Sequence, residues 1–354
     1  MDKIVEPLIS VVMPVYNAEP FLREAIESIL NQTFQNFEFL IFDDGSTDKS
    51  AAIISSFNDE RIKSVYSIKN QGYVYHLNEG LRRARGKYIV RMDADDISDK
   101  LRIEKQVRFM ESNPHVGVSG GQIAVIDNHD KILREQKYQV EDDKLRVQLL
   151  MDSCFAHPTV ILRKSLITET NLNYDSALMP AEDYALWGEL AAHTDLANLP
   201  DILLKYRNHQ GQITVLKQDV QKQSADKVRI RQVEFFLNRK LSKDESILHN
   251  SLLSGEYSIT KEYVTKARLW IESILQEGSS QNTYDTQFLN EEFGKIWFKL
   301  CTHSYEIGPW IISIFFSANI NRRGIPSADF IKFIVKSVFK FSPFDKNKSN
   351  SSFD

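Results

Sequence analysis

Three carboxylates lie within four residues of one another in this sequence: Asp93, Asp95 and Asp96. They follow the apolar run of residues 88–90 and precede a helix-like segment, so we expect them at the end of a buried strand. Carboxylates this close repel one another unless a cation lies among them. Oxygen ligands suit a hard divalent ion such as Mg²⁺ or Mn²⁺, which commonly keeps substrate phosphates as further ligands. The first interpretation is therefore a metal site for a diphosphate-bearing substrate.

The same acidic stretch has two other interpretations. Aspartates are common at helix N-termini, so these residues could form a solvated turn that caps the next helix. An EF-hand calcium loop fits poorly, because Ile97 occupies the fifth position and Ser98 replaces the required glycine. The capping turn stays open, and the EF-hand is set aside.

The elements that must position these carboxylates alternate along the chain. Four short runs rich in β-branched and aromatic residues are typical of buried strands: 8–13, 37–42, 62–67 and 87–91. Three segments between them have apolar residues at helical spacing: 19–30, 50–57 and 73–84. This alternation predicts a Rossmann-like, mostly parallel sheet with flanking helices. Such sheets bind ligands beyond the carboxyl ends of their strands, where the turns at 14–17, 43–48 and 93–96 fall.

Asp44 lies in the turn after the second predicted strand. A carboxylate there can accept a hydrogen bond from a base N–H or a ribose hydroxyl, or it can cap a turn beside Gly45. The sequence has neither a Gly-x-x-x-x-Gly-Lys-Ser/Thr phosphate loop nor a Gly-x-Gly-x-x-Gly stretch after the first strand. The metal would therefore hold the phosphates.

The composition of the 354 residues is that of a globular protein, with 42% hydrophobic and 26% charged residues. A formal net charge of -4 argues against general nucleic-acid binding, which requires a dominant basic surface. Cys154 and Cys301 have no metal-ligand spacing and suggest no disulfide framework. The N-terminus is too charged for a secretory signal, and the C-terminal apolar runs fall far short of the roughly 20 residues of a membrane-spanning helix. We expect a cytoplasmic protein.

Seven motifs occur together and in order: residues 14–17 (Pro-Val-Tyr-Asn), 31–33 (Asn-Gln-Thr), 43–48 (Asp-Asp-Gly-Ser-Thr-Asp), 70–72 (Asn-Gln-Gly), 78–81 (Asn-Glu-Gly-Leu), 84–88 (Ala-Arg-Gly-Lys-Tyr) and 92–96 (Met-Asp-Ala-Asp-Asp). In this the chain resembles the family 2 glycosyltransferases, inverting enzymes of the GT-A fold that use nucleotide-diphosphate sugars. The resemblance covers about residues 7–215. It implies an α/β fold of the GT-A type.

The resemblance also implies roles for the matching residues. A nucleotide-sugar pocket would be lined by Pro14, Val15, Tyr16, Asn17, Asp44, Asn70, Gly72, Asp93 and Ala94. Within it Asp44 would read the base, while Asp93 and Asp95 would bind the Mn²⁺ or Mg²⁺ that bridges the diphosphate. Asp96 would hold the loop or cap the next helix. Residues 76–78 (His-Leu-Asn) depart from the Ala-Arg-Asn of many relatives, so a cationic contact is missing and the nucleotide stays open.

A second acidic pair, Glu182 and Asp183, begins another helix-like segment. Sugar transfer with inversion needs a carboxylate that takes the proton of the acceptor hydroxyl. The resemblance places that base at Asp183, with Glu182 supporting it. Taken without the family, both are ordinary first-turn acids that the helix dipole favours. A metal that stabilises the leaving diphosphate makes a protonated general acid unnecessary.

Two histidines lie in segments that resemble those of the family. His157 precedes a proline in the segment that enters the acceptor half of the site, where it either lines the site or has a structural role. His209 ends a Tyr-Arg-x-His segment that closes over the donor in relatives, so it either touches the diphosphate or metal or is structural. No Gln-x-x-Arg-Trp stretch follows, which disfavours processive polymer synthesis.

The chain changes character at about residue 215, where polar and amphipathic segments begin. We expect residues 1–215 to form the GT-A domain and residues 216–354 a helical C-terminal region. Three segments of this region look helical: 219–237, 258–275 and 288–305. At 329–341, lysines four residues apart among large apolar residues could lay a helix on an anionic membrane surface. Alternatively, this helix docks on the protein core.

These features predict a metal-dependent inverting glycosyltransferase that moves one sugar from a nucleotide-diphosphate donor, preferably a UDP-sugar, to a glycan or lipid-linked glycan. Bacterial surface polysaccharide assembly at the inner face of the cell membrane, with peripheral membrane contact, is the expected setting. One alternative is transfer to polyprenyl phosphate, which would use the same donor pocket. Another is a non-catalytic nucleotide-sugar-binding module.

Overall fold

The computed structural model describes residues 7–212, 217–320 and 326–339. These residues form two compact units, which divide between Val228 and Arg229. No helix in the three described ranges combines the length and the apolar character needed to cross a membrane.

The first four strands form the parallel half of a nine-stranded sheet, in the order β3-β2-β1-β4. They are β1 (Ile9–Val15), β2 (Phe37–Asp43), β3 (Ile62–Tyr66) and β4 (Tyr88–Arg91). The helices between them are α1 (Leu22–Leu30), α2 (Ser50–Ser55) and α3 (Tyr73–Arg83). Every residue of β1 and β2 is buried, because helices cover both faces of the sheet. The α/β fold predicted from the sequence is confirmed.

Alternate side chains of β1 enter two different hydrophobic cores. Val12 packs with Leu77 of α3 in one core, whereas Val11 packs with Ile26 of α1 in the other. This follows from the two-residue period of a strand, which points successive side chains to opposite faces. A Cβ atom at Gly80 would collide with the Val12 methyl groups, so α3 needs a glycine to pack this close to β1.

The carboxyl ends of β1, β2 and β4 lie side by side. Val15 pairs with Asp43 of β2, and Val12 pairs with Arg91 of β4. The chain leaves β1 toward β2 and β3, and then returns on the other side of β1 as β4. Open α/β sheets bind ligands in the crevice at such a reversal of strand order. The loops after these three strands therefore border one crevice.

The second half of the sheet is mixed, because β8 is antiparallel to both of its neighbours while β9 is parallel to β6. Its strands are β5 (Ile97–Ser98), β6 (Val116–Ile126), β7 (Ile132–Gln136), β8 (Ile161–Arg163) and β9 (Asp195–Arg207). The sequence pattern predicts this last strand only over residues 201–206, whereas in the structure it begins at Asp195. Pro200 lies in a bulge opposite Gly121 and Gln122, which accommodates a residue that cannot donate to the ladder.

Among the described residues, four further α-helices belong to the first unit, and a fifth spans the division between the units. They are α4 (Arg102–Ser112), α5 (Asp142–Leu149), α6 (Lys164–Thr170), α7 (Glu182–Leu190) and α8 (Gln218–Phe236). The domain boundary predicted after residue 215 lies outside the described residues.

The C-terminal unit is helical, as predicted. Its further helices are α9 (Lys243–Ser254), α10 (Lys261–Gly278), α11 (Thr286–His303), α12 (Trp310–Ser317) and α13 (Ser327–Phe339). The sequence interpretation missed α9 and α12. For α9 the sequence did hold a signal, because the Ser242 and Glu245 side chains form a capping box at its start. Residues 340–341 of the predicted membrane helix lie outside the described residues.

Candidate active site

The loop after β4 brings the three predicted carboxylates together. One oxygen from each of Asp93, Asp95 and Asp96 lies within 4.8 Å of the others. Arg91, the last residue of β4, forms an ion pair with Asp93. Carboxylate oxygens gathered this closely can share one cation.

The end of β9 holds this loop in place. The backbone N–H of Arg207 donates to Asp96 Oδ1 over 2.8 Å, and Arg207 Nε donates to the carbonyl oxygen of Asp95 over 2.9 Å. The Arg207 side chain is buried and pairs with Glu24 of α1. His209 Nε2 lies 2.9 Å from Asp95 Oδ2. The conformation of the carboxylate loop is therefore set by the chain itself.

The electrostatics of the loop fit a divalent cation. Burial raises the pKa of Asp93 and raises that of Asp96 well above its ordinary value, and the charge of Asp95 adds to both shifts. Asp96 Oδ2 is buried and has no hydrogen-bond partner within the described residues. A hard cation would supply that contact and relieve the repulsion among the acids. The residues present therefore fit Mn²⁺ or Mg²⁺.

The second acidic pair begins α7. Glu182 accepts a hydrogen bond of 2.9 Å from the hydroxyl of Tyr73, and it is 3% exposed. Asp183 Oδ1 accepts the backbone N–H of Tyr184 over 2.7 Å. Its other oxygen, Oδ2, lies 4.0 Å from Nδ1 of His157. The structure thus brings together three of the predicted site residues, His157, Glu182 and Asp183.

Burial controls the proton affinities of this cluster. It raises the pKa of Asp183 to about 6, and burial together with the charge of Asp183 raises the pKa of Glu182 to about 7. Burial also lowers the pKa of His157 well below its ordinary value, so the imidazole is neutral at pH 7. A carboxylate whose pKa lies near the working pH has the proton affinity of a general base.

Asp44 is tied into the chain rather than open to solvent. Its Oδ1 lies 2.6 Å from the backbone nitrogen of Gln71 and 2.7 Å from His76 Nε2, while Oδ2 accepts the backbone N–H of Gly72 over 2.9 Å. The side chain of Asn70 caps the same N–H of Gly72 over 3.1 Å. Asp44 therefore shapes the turn at Asn70 to Gly72, and this turn needs glycine because Gly72 has a φ of 90°.

Four of the residues predicted to line the nucleotide pocket differ in their exposure and in their contacts. Tyr16 is 50% exposed, whereas the Val15 and Ala94 side chains belong to the hydrophobic core. Asn17 adopts a φ of 48°, and its side-chain oxygen accepts the backbone N–H of Thr47 over 2.8 Å. The loops after β1 and β2 are thereby joined, and Val15 and Ala94 can offer a ligand only their backbone.

Arg91 connects the two acidic clusters electrostatically. It is 8% exposed, and its charge opposes the burial that raises the pKa values of Asp93, Glu182 and Asp183. The sequence interpretation gave no role to Arg91, although its place just before the acidic loop was a signal. Tyr73 was also missed, because no sequence pattern links it to Glu182, 109 residues later.

The doubly wound sheet, with acidic clusters beyond the ends of its strands, is the fold of the GT-A glycosyltransferases. The crystal structure of S. aureus TarS residues 1–349 in complex with UDP-GlcNAc matches it with a TM-score of 0.56 at 18% identity, over 93% of this chain and 90% of that chain. A second crystal structure of S. aureus TarS residues 1–349 matches with a TM-score of 0.53 at 17% identity, again over 93% of this chain and 90% of that one.

Sequence comparisons define the family. The model of glycosyl transferase family 2 matches residues 10–169. An uncharacterized glycosyltransferase of Haemophilus influenzae is 34% identical over 281 residues, which is 77% of this chain and 85% of that protein. The O-antigen biosynthesis glycosyltransferase WbnJ of Escherichia coli is 32% identical over 208 residues, which is 57% of this chain and 80% of WbnJ. The chain belongs to glycosyl transferase family 2 and is a glycosyltransferase, as the sequence motifs predicted.

Proposed function

We propose that the chain is an inverting, metal-dependent glycosyltransferase that moves a single sugar from a nucleotide-diphosphate donor to a glycan or lipid-linked glycan. The observation that carries this proposal is the presence of two different acidic clusters in one unit. One is a braced loop of three carboxylates, and the other contains a partly buried carboxylate with a raised pKa. The first suits a cation and the second suits a base, and the reaction needs both.

The donor pocket we propose lies beyond the ends of β1, β2 and β4. Its nucleotide-binding residues are Pro14, Val15, Tyr16, Asn17, Asp44, Asn70, Gly72, Asp93 and Ala94. The exposed ring of Tyr16 can cover a base, and Asp44 Oδ2, with one hydrogen bond from Gly72 inside the chain, can accept a second from a base N–H. A UDP-sugar is the preferred donor, because the TarS structure with this fold is a complex with UDP-GlcNAc.

We propose Asp93 and Asp95 as the residues that hold the metal, with His209 beside Asp95. Asp96 adds a buried oxygen that lacks a partner in the described part of the chain. When bound, a divalent ion stabilises the charge that develops on the leaving diphosphate. The chain's own contribution is to hold these side chains at a fixed spacing through Arg91 and Arg207.

Asp183 is the proposed catalytic base. Its Oδ2 takes the proton of the acceptor hydroxyl while the acceptor oxygen forms a bond to the anomeric carbon. The bond from that carbon to the diphosphate breaks on the opposite side, so the configuration inverts. Glu182 supports Asp183 from the same helix turn, and His157 lines the acceptor side of the site.

The acceptor is proposed from the names of relatives. WbnJ is an O-antigen biosynthesis enzyme, and its similarity spans 80% of its length. We therefore place the reaction in bacterial surface polysaccharide assembly, at the cytoplasmic face of the cell membrane. Transfer to polyprenyl phosphate is the enzymatic alternative, and a binding module without turnover is the non-enzymatic one.

The test is a turnover assay of the full chain with UDP-, GDP- and dTDP-sugars, each with Mn²⁺, Mg²⁺ or EDTA. Polyprenyl phosphate and oligosaccharide-linked lipids serve as acceptors. We expect metal-dependent release of one nucleoside diphosphate and a product whose anomeric configuration, read by proton NMR, is opposite to that of the donor. A retained configuration would contradict inversion. Donor binding without turnover on any acceptor would favour the binding module.

We propose residues 1–215 as the catalytic domain and 216–354 as a helical region whose helix at 329–341 contacts the membrane. Four apolar side chains of α13 are 46–73% exposed: Ile331, Val335, Val338 and Phe339. Their spacing forms one stripe, opposite the buried Phe333. Lys332 lies beside the stripe and is 61% exposed. A helix of this kind rests on an anionic membrane with its apolar stripe down.

Vesicle flotation tests the membrane contact. The full chain should float with phosphatidylglycerol-containing vesicles more than with pure phosphatidylcholine, and Ile331→Asp should lose most of this binding. Ile247→Asp is the matched control, because Ile247 on α9 is 58% exposed, close to the 60% of Ile331. Equal flotation of Ile331→Asp and the wild type would contradict the contact.

A further inference from the structure

His157 is held in a buried aromatic cluster beside the proposed base. Its ring centroid lies 5.4 Å from that of Tyr174 and 5.8 Å from that of Trp187. Tyr174 is 3% exposed and Trp187 is 0% exposed. With both rings against it, the imidazole has little freedom to turn, so its two nitrogens keep separate neighbours.

The neighbours of the imidazole determine where its proton lies. His157 Nε2 is 3.0 Å from the hydroxyl of Tyr174. Burial raises the pKa of Tyr174, so this phenol keeps its proton, and no other acceptor in the described residues lies within hydrogen-bond distance of it. A neutral imidazole has one N–H and one bare nitrogen. In the tautomer that gives the Tyr174 proton an acceptor, Tyr174 donates to Nε2 and the imidazole proton lies on Nδ1, which faces Asp183 Oδ2 at 4.0 Å.

Tyr174 is itself fixed by a different element of the fold. The side-chain amide of Asn78, on α3, donates to the carbonyl oxygen of Tyr174 over 2.9 Å and accepts its backbone N–H over 2.9 Å. This double contact sets the position of the Tyr174 backbone. A line of contacts therefore runs from α3 through Tyr174 and His157 to Asp183.

We propose that Tyr174 is a positioning residue for the reaction: its hydroxyl holds His157 in the Nδ1–H tautomer, and this N–H orients and stabilises the ionised Asp183. The inference rests on the proposed role of Asp183 as base. Asp183 Oδ1 is already bound to the Tyr184 N–H, so Oδ2 is the oxygen left for the acceptor proton. Closing the 4.0 Å gap by ~1 Å would give a hydrogen bond from Nδ1 to Oδ2. In the other tautomer a bare nitrogen would face the carboxylate and repel it.

Several other groups act on Asp183 and must be kept constant in a test. They are Glu182, Arg91, Asp152, Tyr73, Tyr138 and Cys154. Tyr174→Phe leaves all of them in place and removes only the hydroxyl. A change in the behaviour of Asp183 in this variant can then be traced to the imidazole.

The first arm of the test is the pH–rate profile of Tyr174→Phe. We expect the acid limb of kcat to move to higher pH and kcat to fall about tenfold, as for other residues that orient a reacting group through a neighbour. UDP affinity should stay within about twofold of the wild type, because the base is not part of the nucleotide pocket. Tyr88→Phe is the matched control, since the Tyr88 hydroxyl is also bound inside the chain, to Glu111 over 2.9 Å.

The second arm does not depend on turnover. Long-range ¹H–¹⁵N NMR of histidine-labelled full chain reports the tautomer, with the His157 signal assigned by its loss in His157→Gln. We expect Nδ1–H in the wild type and a shift toward Nε2–H in Tyr174→Phe. An Nε2–H tautomer in the wild type would overturn the proposal. The proposal would also be overturned if the acid limb of kcat lies at the same pH in Tyr174→Phe and in the wild type. Absence of turnover in the wild type would instead overturn the proposed function while the tautomer could still be read.

Discussion

The two acidic clusters of the first unit have opposite kinds of partners. In the loop after β4, the carboxylates contact an arginine side chain, an arginine backbone N–H and a histidine, from Arg91, Arg207 and His209. At the start of α7, Glu182 and Asp183 contact neutral groups: the hydroxyl of Tyr73, a backbone N–H and the neutral imidazole of His157.

This difference gives the two sets of carboxylates different electrostatic environments. A loop braced by cationic and N–H donors keeps three acids close together despite their repulsion, and a divalent cation can then complete the site. Burial raises pKa values in both clusters, to about 6 for Asp183 and about 7 for Glu182, but the groups that contact the α7 pair are neutral. The first cluster is suited to hold charge, and the second is suited to exchange a proton.

Removing the proposed base should have the largest effect on turnover. We expect Asp183→Asn to lower kcat about 10³-fold, because general-base catalysis contributes 10²–10⁴-fold. Glu189→Gln is the matched control, since Glu189 is an exposed acid on the same helix. Equal kcat values for the two variants in a steady-state assay would contradict the proposed role of Asp183 as the base.

The pH dependence should follow the α7 cluster. Because burial raises the pKa values of Asp183 and Glu182 into the range from about 6 to about 7, kcat/KM should fall about tenfold per pH unit below this range as the base becomes protonated. Burial lowers the pKa of His157 well below its ordinary value, so this imidazole adds no basic limb near neutral pH. A profile measured at saturating metal that stays flat down to pH 5 would contradict the assignment.

The smallest expected effect is on stability. The folded-state pKa of Glu182 is about 7, above its ordinary value of 4.5, so the folded chain binds this proton more tightly than the unfolded chain. Stability is therefore lost as pH rises from about 4.5 through about 7. Glu182→Gln should raise the Tm at pH 8 by about 2–4 °C and leave it unchanged at pH 4. Calorimetry of Glu189→Gln at both pH values controls for a general effect of charge.

Local patterns were enough to predict most of the fold. The runs of β1 to β4 and the helices between them are read from apolar periodicity, and their order implies the shared edge where Asp44, Asp93 and Asp95 lie. The full length of β9 was not predicted, because Pro200 interrupts its pattern and only the bulge against β6 explains how the strand continues. Short strands such as β5 carry too few residues for any period to be seen.

The site was predicted less completely than the fold. Motifs predict site roles for residues such as Asp95 and Asp183, but the side chains that contact the two acidic clusters come from distant parts of the chain. Tyr73 and Arg207 reach the acidic clusters across 109 and 111 residues, respectively. Contacts of this kind depend on tertiary packing, and single-residue patterns do not encode them.

The most direct test of the division between the clusters is UDP binding, measured by calorimetry with and without Mn²⁺ for the wild type, Asp95→Asn and Asp183→Asn. Asp219→Asn, an exposed acid at the start of α8, controls for the change of charge. We predict that Mn²⁺ strengthens UDP binding by the wild type and by Asp183→Asn, and that Asp95→Asn loses this dependence. If Asp95→Asn keeps it, or if Asp183→Asn loses it, the assignment of the metal to the β4 loop and of the base to α7 is wrong.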